Sequence, residues 1–280
     1  MSATRFLFGT IILCAQFAFA TTWKVEKNGL GDYTTISQAL NFAQAGDTIK
    51  VFPGTYTEKV ILSKNVVIIG SGAEATVIAN PNNDYGVIIS AGKIMWFTIS
   101  SQGNGVKATG GVVANCIAKG CKYSGFEAYS GGRIVHCIAI ENNDGFVIPQ
   151  DQDPVILNCL AYANAGAGFW APHGSWGSTT YNVIYCCSYR NQWNFSEGAN
   201  KSTGSTEQDP KFESDSYNIA DSSPCKDAGN VGYPDPDGTR ADMGYFGGPD
   251  APTFPVVKEA KIILNADGTV TIQATGVSNY

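Results

Sequence analysis

The sequence predicts an all-β solenoid, in which short strands stack as successive coils around one continuous core. Three repeated features predict it. A cysteine returns in the same short phrase at steps of 21, 22 and 27 residues, an asparagine follows three of these cysteines, and a Gly-Phe pair recurs in three repeats. Such a period indicates that each repeat adds one layer and buries its apolar face only against its neighbours. These residues are Cys116, Cys137, Cys159 and Cys186; Asn142, Asn164 and Asn191; and Gly125-Phe126, Gly145-Phe146 and Gly168-Phe169.

The overall composition agrees with this prediction and argues against one class of partner, nucleic acids. Of the 280 residues, 44% are hydrophobic, 15% are charged and 32 are glycines. This charge content is sparse for a helical protein and typical of a β protein with many turns. The formal net charge is −6, and no cluster of lysine and arginine could follow a phosphate backbone. The sequence therefore predicts no nucleic-acid partner.

Residues 1–20 have the pattern of a secretory signal peptide. Arg5 provides the positive start, residues 6–17 the apolar stretch, and Ala18-Phe19-Ala20 a small-x-small cleavage site. The apolar stretch is too short for a membrane span. We therefore expect a secreted protein, whether extracellular, periplasmic or on the cell surface, with no transmembrane segment after cleavage.

Seven cysteines remain after that cleavage, an odd number for an oxidising compartment. Cysteines stacked one strand spacing apart, about 4.8 Å, lie within reach of a disulfide. Parallel Cβ directions, however, fit the required S–S torsion poorly. This favours buried free thiols that act as small apolar side chains, and leaves disulfides as the alternative.

One helix is predicted, after a first strand over residues 23–26. Thr35 and Gln38 form a capping box at its start, four apolar residues recur at helical spacing, and Gly46 ends it. Because the end of a solenoid core is open, this amphipathic helix is expected to cap the N-terminal end. The apolar positions are Ile36, Ala39, Leu40 and Ala43.

From Thr48 onward, short β-branched runs alternate with Gly, Asn and Pro turns. Residues 21–249 are predicted to form the repeat domain. Residues 250–280 are interpreted as a linker and a C-terminal β-hairpin tail that turns at residues 265–268, too small to be a domain. The hairpin either caps the solenoid or begins a sorting module.

Two parts of the chain resemble a known superfamily. Residues 31–40 (GDYTTISQAL), 45–49 (AGDTI), 53–58 (PGTYTE) and 67–70 (VIIG) are similar to the opening of the pectin-lyase-like superfamily, and especially of pectin methylesterases. Residues 223–229 (SPCKDAG) and 235–244 (DPDGTRADMG) resemble the closing block of secreted bacterial β-helix proteins. With the repeats, the resemblance covers residues 23–249. It implies a single-stranded right-handed parallel β-helix with an N-terminal capping helix.

Alternation in the repeated strand leaves two possible inward faces, because a slip by one residue exchanges them. The cysteine phase is predicted to point inward, since Lys119, Tyr162 and Tyr189 of the other phase suit a surface. The superfamily resemblance also implies an inward cysteine after asparagine. This choice leaves an outward apolar stripe containing Ile138 and Leu160, which needs a cover or a ligand. The repeated asparagines are predicted to form a ladder of stacked amides in a turn.

The resemblance to pectin methylesterases implies two catalytic carboxylates, a positioning arginine and glutamines on one strand face. The nearest match is Gln150-Asp151, within the segment that ends at Asp153-Pro154. The second aspartate and the arginine segment are not found, and without them there is no acid/base pair. An Asp-Pro turn is the competing interpretation.

A polysaccharide lyase would instead need a lysine or arginine base and carboxylates that hold Ca²⁺. The repeats contain residues of both types, but no motif fixes their mutual geometry, and solvated turn residues are the alternative. The catalytic candidates from these groups are Lys122, Arg133, Asp151 and Asp153. The other charged residues of the repeats are Lys107, Lys119, Glu127, Glu141, Asp144 and Arg190.

The longest repeat step carries Trp170, His173 and Trp176, and Trp193 follows one coil later. Flat aromatic rings beside polar groups suit stacking against sugar rings, and loops often carry binding residues. These four residues are the predicted substrate-binding site, with His173 also a catalytic candidate. The alternative is that the aromatics close a small core beneath the loop.

Asp235, Asp237 and Asp242 place several oxygen ligands at close spacing. They are candidate ligands for a structural Ca²⁺, although the full EF-hand pattern is missing. A tight cap turn is the alternative interpretation.

These features predict a monomeric secreted protein that binds or processes a polysaccharide or cell-surface glycan of the pectin or uronate type. If it is an enzyme, the resemblance implies a polysaccharide lyase or a carbohydrate esterase. The missing catalytic motifs and the trailing hairpin favour the alternative, a non-catalytic cell-surface structural or adhesion module.

Overall fold

The structure, a computed structural model, describes residues 20–172, 181–213, 216–253, 256–265 and 269–277. Its one helix, α1, spans Ile36–Phe42. The strands are β1 (Thr22–Val25), β2 (Thr48–Val51), β3 (Gly54–Tyr56), β4 (Val60–Leu62), β5 (Val67–Ile69), β6 (Thr76–Asn80), β7 (Val87–Ile89), β8 (Lys93–Met95), β9 (Thr98–Ser101), β10 (Val106–Ala108), β11 (Val112–Ala114), β12 (Ile117–Lys119), β13 (Ser124–Ala128), β14 (Arg133–Val135), β15 (Ile138–Ile140), β16 (Asp144–Val147), β17 (Val155–Leu157), β18 (Leu160–Tyr162), β19 (Ala167–Trp170), β20 (Tyr181–Val183), β21 (Cys187–Tyr189), β22 (Trp193–Phe195), β23 (Ala199–Lys201), β24 (Val256–Leu264) and β25 (Val270–Val277).

Each coil contributes one strand to each of three parallel sheets, which have seven strands apiece in the described residues. The first sheet is β1-β2-β5-β8-β11-β14-β17, the second is β3-β6-β9-β12-β15-β18-β21, and the third is β4-β7-β10-β13-β16-β19-β22. Beyond them, β20 pairs with β23 in parallel, and β24 with β25 as an antiparallel hairpin. The predicted right-handed parallel β-helix is confirmed.

The repeated cysteines point into the solenoid and are fully buried there, as the sequence predicts. They pack beside the inward alanines Ala118, Ala139 and Ala161. The structure shows the cysteines of its described part as free thiols. Burial raises the pKa of Cys116 to about 12, so this thiol stays protonated and packs like a small apolar side chain.

Inward phenylalanines fill the core behind the third sheet. Phe126, Phe146, Phe169 and Phe195 stack in order, with successive ring centroids 5.0, 4.9 and 5.3 Å apart. A glycine precedes Phe126, Phe146 and Phe169 and allows close approach of the coils. A Cβ on Gly145, for example, would lie 2.5 Å from the carbonyl oxygen of the glycine one coil on. The repeated Gly-Phe pair therefore combines a core side chain with a close backbone contact.

The predicted asparagine ladder is present in the turns between the second and third sheets. Asn142 Nδ2 donates to Asn164 Oδ1 at 3.1 Å, and Asn164 Nδ2 donates to Asn191 Oδ1 at 2.8 Å. Each amide also reaches backbone, as in the 3.0 Å bond from Asn142 Nδ2 to the Ala118 carbonyl. These bonds satisfy buried polar groups at each turn.

The outward apolar stripe predicted from the repeats is buried, and its cover is the chain itself. Residues 205–213 and 216–251, here called the cover segment, return along the outer face of the second sheet and form a second apolar cluster with the stripe. Ile138 and Leu160 thus lie outside the central core although they are buried. The stripe consists of Ile117, Ile138, Leu160 and Cys187, and the cover segment contributes Cys225, Met243 and Tyr245.

Single corner residues turn each coil from the first sheet to the second and bind the cover segment. Asn115, His136 and Asn158 have φ of 45°, 51° and 55°, a left-handed conformation that asparagine tolerates well. Asn115 Nδ2 donates to the Tyr245 carbonyl at 2.7 Å, and the Asn230 amide donates to Asn158 Oδ1 at 2.8 Å. His136 replaces asparagine at its corner, with Nε2 3.0 Å from Asn158 Nδ2.

Helix α1 packs on the first coil, against β1, β2 and β4. The Thr35 hydroxyl accepts from the Gln38 amide at 3.2 Å, but the Gln38 side chain contacts the Thr34 hydroxyl instead of turning back. Half of the predicted capping box therefore forms, and the Glu58 carboxylate accepts from the first two helical amides. A carboxylate at this positive helix end is stabilising. Over the described ranges, no helix has the length and apolar character needed to cross a membrane.

Candidate functional site

The predicted sugar-stacking residues do not form one platform in the described structure. Trp170 ends β19 on the outer face and is 39% exposed, and Trp193 begins β22 and is 58% exposed. Trp170 is in register with Val147, whereas Trp193 is in register with Ala167, so the two indoles belong to different rows. The other two predicted residues, His173 and Trp176, lie outside the described residues.

The four other catalytic candidates are distributed over three places. Lys122 is exposed in the turn before β13, and Asp151 is exposed at a left-handed position, φ 59°, between β16 and β17. The structure brings Arg133 and Asp153 together at a cavity of about 570 Å³ on the outer face of the first sheet. Arg133 Nη2 there donates to the Tyr233 hydroxyl at 2.9 Å.

The three aspartates predicted as Ca²⁺ ligands bind backbone amides of the cover segment. Asp235 accepts from the Asp242 amide at 3.0 Å, Asp242 from the Asp227 amide at 2.7 Å, and Asp237 from the Thr239 amide at 2.9 Å. In the described ranges, no group of three or more His, Cys, Asp or Glu side chains gathers as a metal site would require. The hydrogen bonds that these carboxylates accept within the turns explain their close spacing in the sequence.

The pKa of Asp235 leads us to expect that the free energy of unfolding depends on pH. Burial raises its pKa to about 7, so the folded state holds this proton more tightly than the unfolded chain does. The resulting stabilisation is present below pH about 4 and is lost as the pH rises through about 7. Asp235→Asn should therefore flatten the decline in the urea unfolding midpoint over that range.

The matched control for Asp235 is Asp237→Asn, in the same turn. Hydrogen bonds from Thr239 lower the pKa of Asp237, so this variant should not flatten the decline. Burial lowers the pKa of His136 to about 4, which has the opposite sign. His136 is present in all three proteins, and equal slopes for wild type and Asp235→Asn would contradict the prediction.

The outer face of the third sheet carries a continuous row of side chains, here called the outer row. One outward residue from each of the first six strands, β4 to β19, is in register with the next, and neighbouring positions are about 4.8 Å apart. The row is apolar at both ends and charged in the middle, and the strand register keeps its members in line from coil to coil. In order, the row is Ile61, Ile88, Lys107, Glu127, Val147 and Trp170.

Two tyrosines hold the charged middle of this row, and together the four residues Tyr85, Lys107, Glu127 and Tyr129 are called the charged cluster. The Tyr85 and Tyr129 hydroxyls both donate to Glu127 Oε2, at 2.7 and 3.2 Å. The Lys107 ammonium lies 5.6 Å from the Tyr85 ring centroid and 4.9 Å from that of Tyr129. These are cation–π distances, so the same two rings position an ammonium and a carboxylate.

The electrostatics keep both tyrosines protonated. Burial, followed by the hydrogen bond and charge of Glu127, raises the pKa of Tyr85 well above its ordinary value. Burial and the charge of Glu127 also raise the pKa of Tyr129. The phenols are therefore fixed hydrogen-bond donors to Glu127. The cluster offers a half-buried cation and a half-buried anion at defined positions, which suits recognition of a polar ligand.

Sequence reasoning missed the two tyrosines of this cluster. It included Lys107 and Glu127 only among many charged residues of the repeats. One signal could have paired them, because each follows a glycine by two residues, Gly105 and Gly125 respectively. Tyr85 and Tyr129 lie just outside the repeated strand phrase, and only the stacking of the coils brings them onto Glu127.

No protein-family profile and no curated protein sequence matches this chain. Among solved structures, it is similar to a pectin methylesterase in complex with a hexasaccharide and to the pectin methylesterase PemA from Erwinia chrysanthemi. Each similarity has 12% sequence identity and a TM-score of 0.37, and covers 62% of this chain and 80% of the other. Similarity at this level identifies neither an activity nor a site.

Proposed function

We propose that the protein is a secreted glycan-binding β-helix whose outer row binds an acidic polysaccharide of the uronate type. One observation carries the proposal: the Lys107 ammonium is held against two tyrosine rings in the same row as the exposed Trp170. A uronate polymer has sugar faces for stacking and carboxylates for a cation. A fixed ammonium and a flat indole on one straight face match both features.

The spacing of the outer row suits a linear polymer lying along the solenoid axis. Lys107 and Trp170 are separated by three strand spacings, about 14 Å. The Lys107 ammonium would bind a carboxylate, the Glu127 oxygens would accept hydroxyls, and Trp170 would stack on a ring. Because the row belongs to a rigid sheet, little ordering cost accompanies binding.

The charged cluster supports binding more directly than turnover. Glu127 is its one carboxylate, and hydrolysis of a glycosidic bond requires two. The two phenols donate to Glu127 and stay protonated. We therefore propose that this face binds the polysaccharide. Whether the protein also cleaves or de-esterifies the polymer is measured in the same experiment.

The test is the affinity for polygalacturonate, measured by isothermal titration calorimetry. Lys107→Gln should weaken binding roughly ten- to hundred-fold, because a charge-assisted hydrogen bond contributes about 1.5–3 kcal/mol. Trp170→Ala should weaken it by roughly three- to ten-fold through lost stacking. Added salt should weaken the wild-type protein more than Lys107→Gln.

The matched controls are Lys50→Gln and Trp193→Ala. Lys50 is exposed in β2 of the first sheet, and Trp193 lies outside the outer row. Both should bind like the wild type. No binding to polygalacturonate, alginate or methyl-esterified pectin would contradict the proposal and favour a structural or adhesion module. Methanol release and the ultraviolet absorbance of unsaturated products, followed in the same samples, report whether the protein also processes the polymer.

A further inference from the structure

Cys187 and Cys225 face each other across the boundary between the solenoid and the cover segment. Cys187 lies on the outward stripe, in register with Leu160 of the preceding coil. Cys225 belongs to the cover segment. Both are fully buried in the apolar cluster that the two parts form together.

One short stretch of chain, residues 208–210, positions both cysteines. The Cys187 thiol donates to the Gln208 carbonyl, with Sγ and O 3.4 Å apart. The Ser223 hydroxyl donates to the Pro210 carbonyl at 2.6 Å and accepts from the Cys225 amide at 3.1 Å. Cys187 and Cys225 are also neighbours in the apolar cluster, where their side chains interact.

This pair differs from the cysteines of the inner ladder. Cys137, Cys159 and Cys186 immediately precede the adjacent parallel strands β15, β18 and β21 and face the solenoid core. Cysteines stacked in this way have parallel Cβ directions, which fit a disulfide torsion poorly. Cys187 and Cys225 instead belong to two surfaces that pack face to face, the outer face of the second sheet and the cover segment. The pair therefore has an approach that the ladder lacks.

We propose that Cys187 and Cys225 form a disulfide that ties the cover segment to the last coil when the protein folds in an oxidising compartment. The reaction is thiol–disulfide exchange with a small-molecule or protein disulfide. One cysteine thiolate attacks a sulfur of that reagent and releases its other half as a thiol. The second cysteine thiolate then displaces the remaining half. The two protein thiols lose two electrons and two protons, and the reagent is reduced to two thiols.

The bond forms while the cover segment closes, before the pair is sealed. Hydrogen bonding to Cys225 and burial raise the pKa of Cys187 in the closed structure, so its reactive thiolate is scarce there. During closure both sulfurs are still accessible to the reagent. This order is independent of the proposed glycan binding.

The test maps disulfides in the full chain, which is reduced, unfolded and refolded with reduced and oxidised glutathione. Free thiols are then blocked under denaturing conditions, and tryptic peptides are analysed without reduction. We expect peptide 134–190, which holds Cys187, to be linked to peptide 212–226, whose one cysteine is Cys225. The link should be absent in Cys187→Ser and Cys225→Ser and present in Cys186→Ser.

Peptide 134–190 holds four cysteines, so fragmentation of the linked wild-type peptides identifies the partner of Cys225 even where a variant fails to fold. Recovery of peptide 212–226 with its cysteine blocked, from refolded protein with native circular dichroism, would overturn the proposal. So would a link that survives Cys187→Ser, because it would then involve another cysteine. In the linked protein, reductant should lower the thermal midpoint by roughly 5–10 °C, and Cys225→Ser should be insensitive to reductant.

Discussion

Replacing Phe146 by alanine is expected to lower the free energy of unfolding by about 3–5 kcal/mol. Phe146 is fully buried and stacks on Phe126 and Phe169, with ring centroids 5.0 and 4.9 Å away. The substitution therefore removes both aromatic contacts and leaves a cavity between two coils that the strand backbone holds apart. Urea unfolding followed by circular dichroism measures the loss.

The control for Phe146 is Phe42→Ala, at the end of α1. Phe42 also stacks on an aromatic ring, that of Tyr33, with centroids 5.4 Å apart, but its side chain is 60% exposed. We expect a loss of about 1 kcal/mol or less. Equal losses for the two variants would mean that the phenylalanine stack does not support the core.

Replacing Asn164 by alanine is expected to lower the free energy of unfolding by about 2–4 kcal/mol. The side chain accepts from the Asn142 amide at 3.0 Å and donates to the Ala139 carbonyl at 3.1 Å, and both partners are buried. Without this side chain, the buried Asn142 amide and Ala139 carbonyl each lose a hydrogen bond that water cannot replace. The substitution also interrupts the amide ladder between Asn142 and Asn191.

The matched control for Asn164 is Asn143→Ala, in the equivalent turn one coil earlier. The Asn143 side chain is exposed and donates to its neighbour Asp144 at 3.0 Å. Its loss should change the urea midpoint little. Hydrogen exchange at the Asn142 amide adds a local measurement, since Asn164→Ala should accelerate it. Unchanged protection there would contradict the proposed role of the ladder.

The repeat predicted much of the fold because it reflects contacts between neighbouring coils. Cys137 and Ala139 repeat because each packs on its counterpart one coil away, and Asn142 repeats because each amide binds the next. The cover segment could not be placed by the same reasoning. It lies far from the stripe in sequence, so the burial of Ile138 showed only that something must cover it.

The candidate site was harder to predict than the core for a related reason. Glu127 meets Tyr85 across 42 residues of chain, and no periodic pattern includes both. The tryptophans drew attention because aromatic rings are conspicuous in sequence. In the structure, Trp170 and Trp193 lie in different rows of the sheet, because Trp170 ends its strand and Trp193 begins its own.

The cover segment has a consequence for how many coils the protein can contain. A simple solenoid can gain or lose a coil by duplication or deletion, because each coil contacts only its neighbours. Here the Ala73 amide donates to the Tyr245 hydroxyl at 2.8 Å, and the Gly244 amide donates to the Asn158 carbonyl at 2.8 Å. A coil inserted between Ala73 and Asn158 would displace one attachment from the other by about 4.8 Å. The two attachments of the cover segment therefore restrict the number of coils between Ala73 and Asn158. A change in that number would require a change in the length of the cover segment.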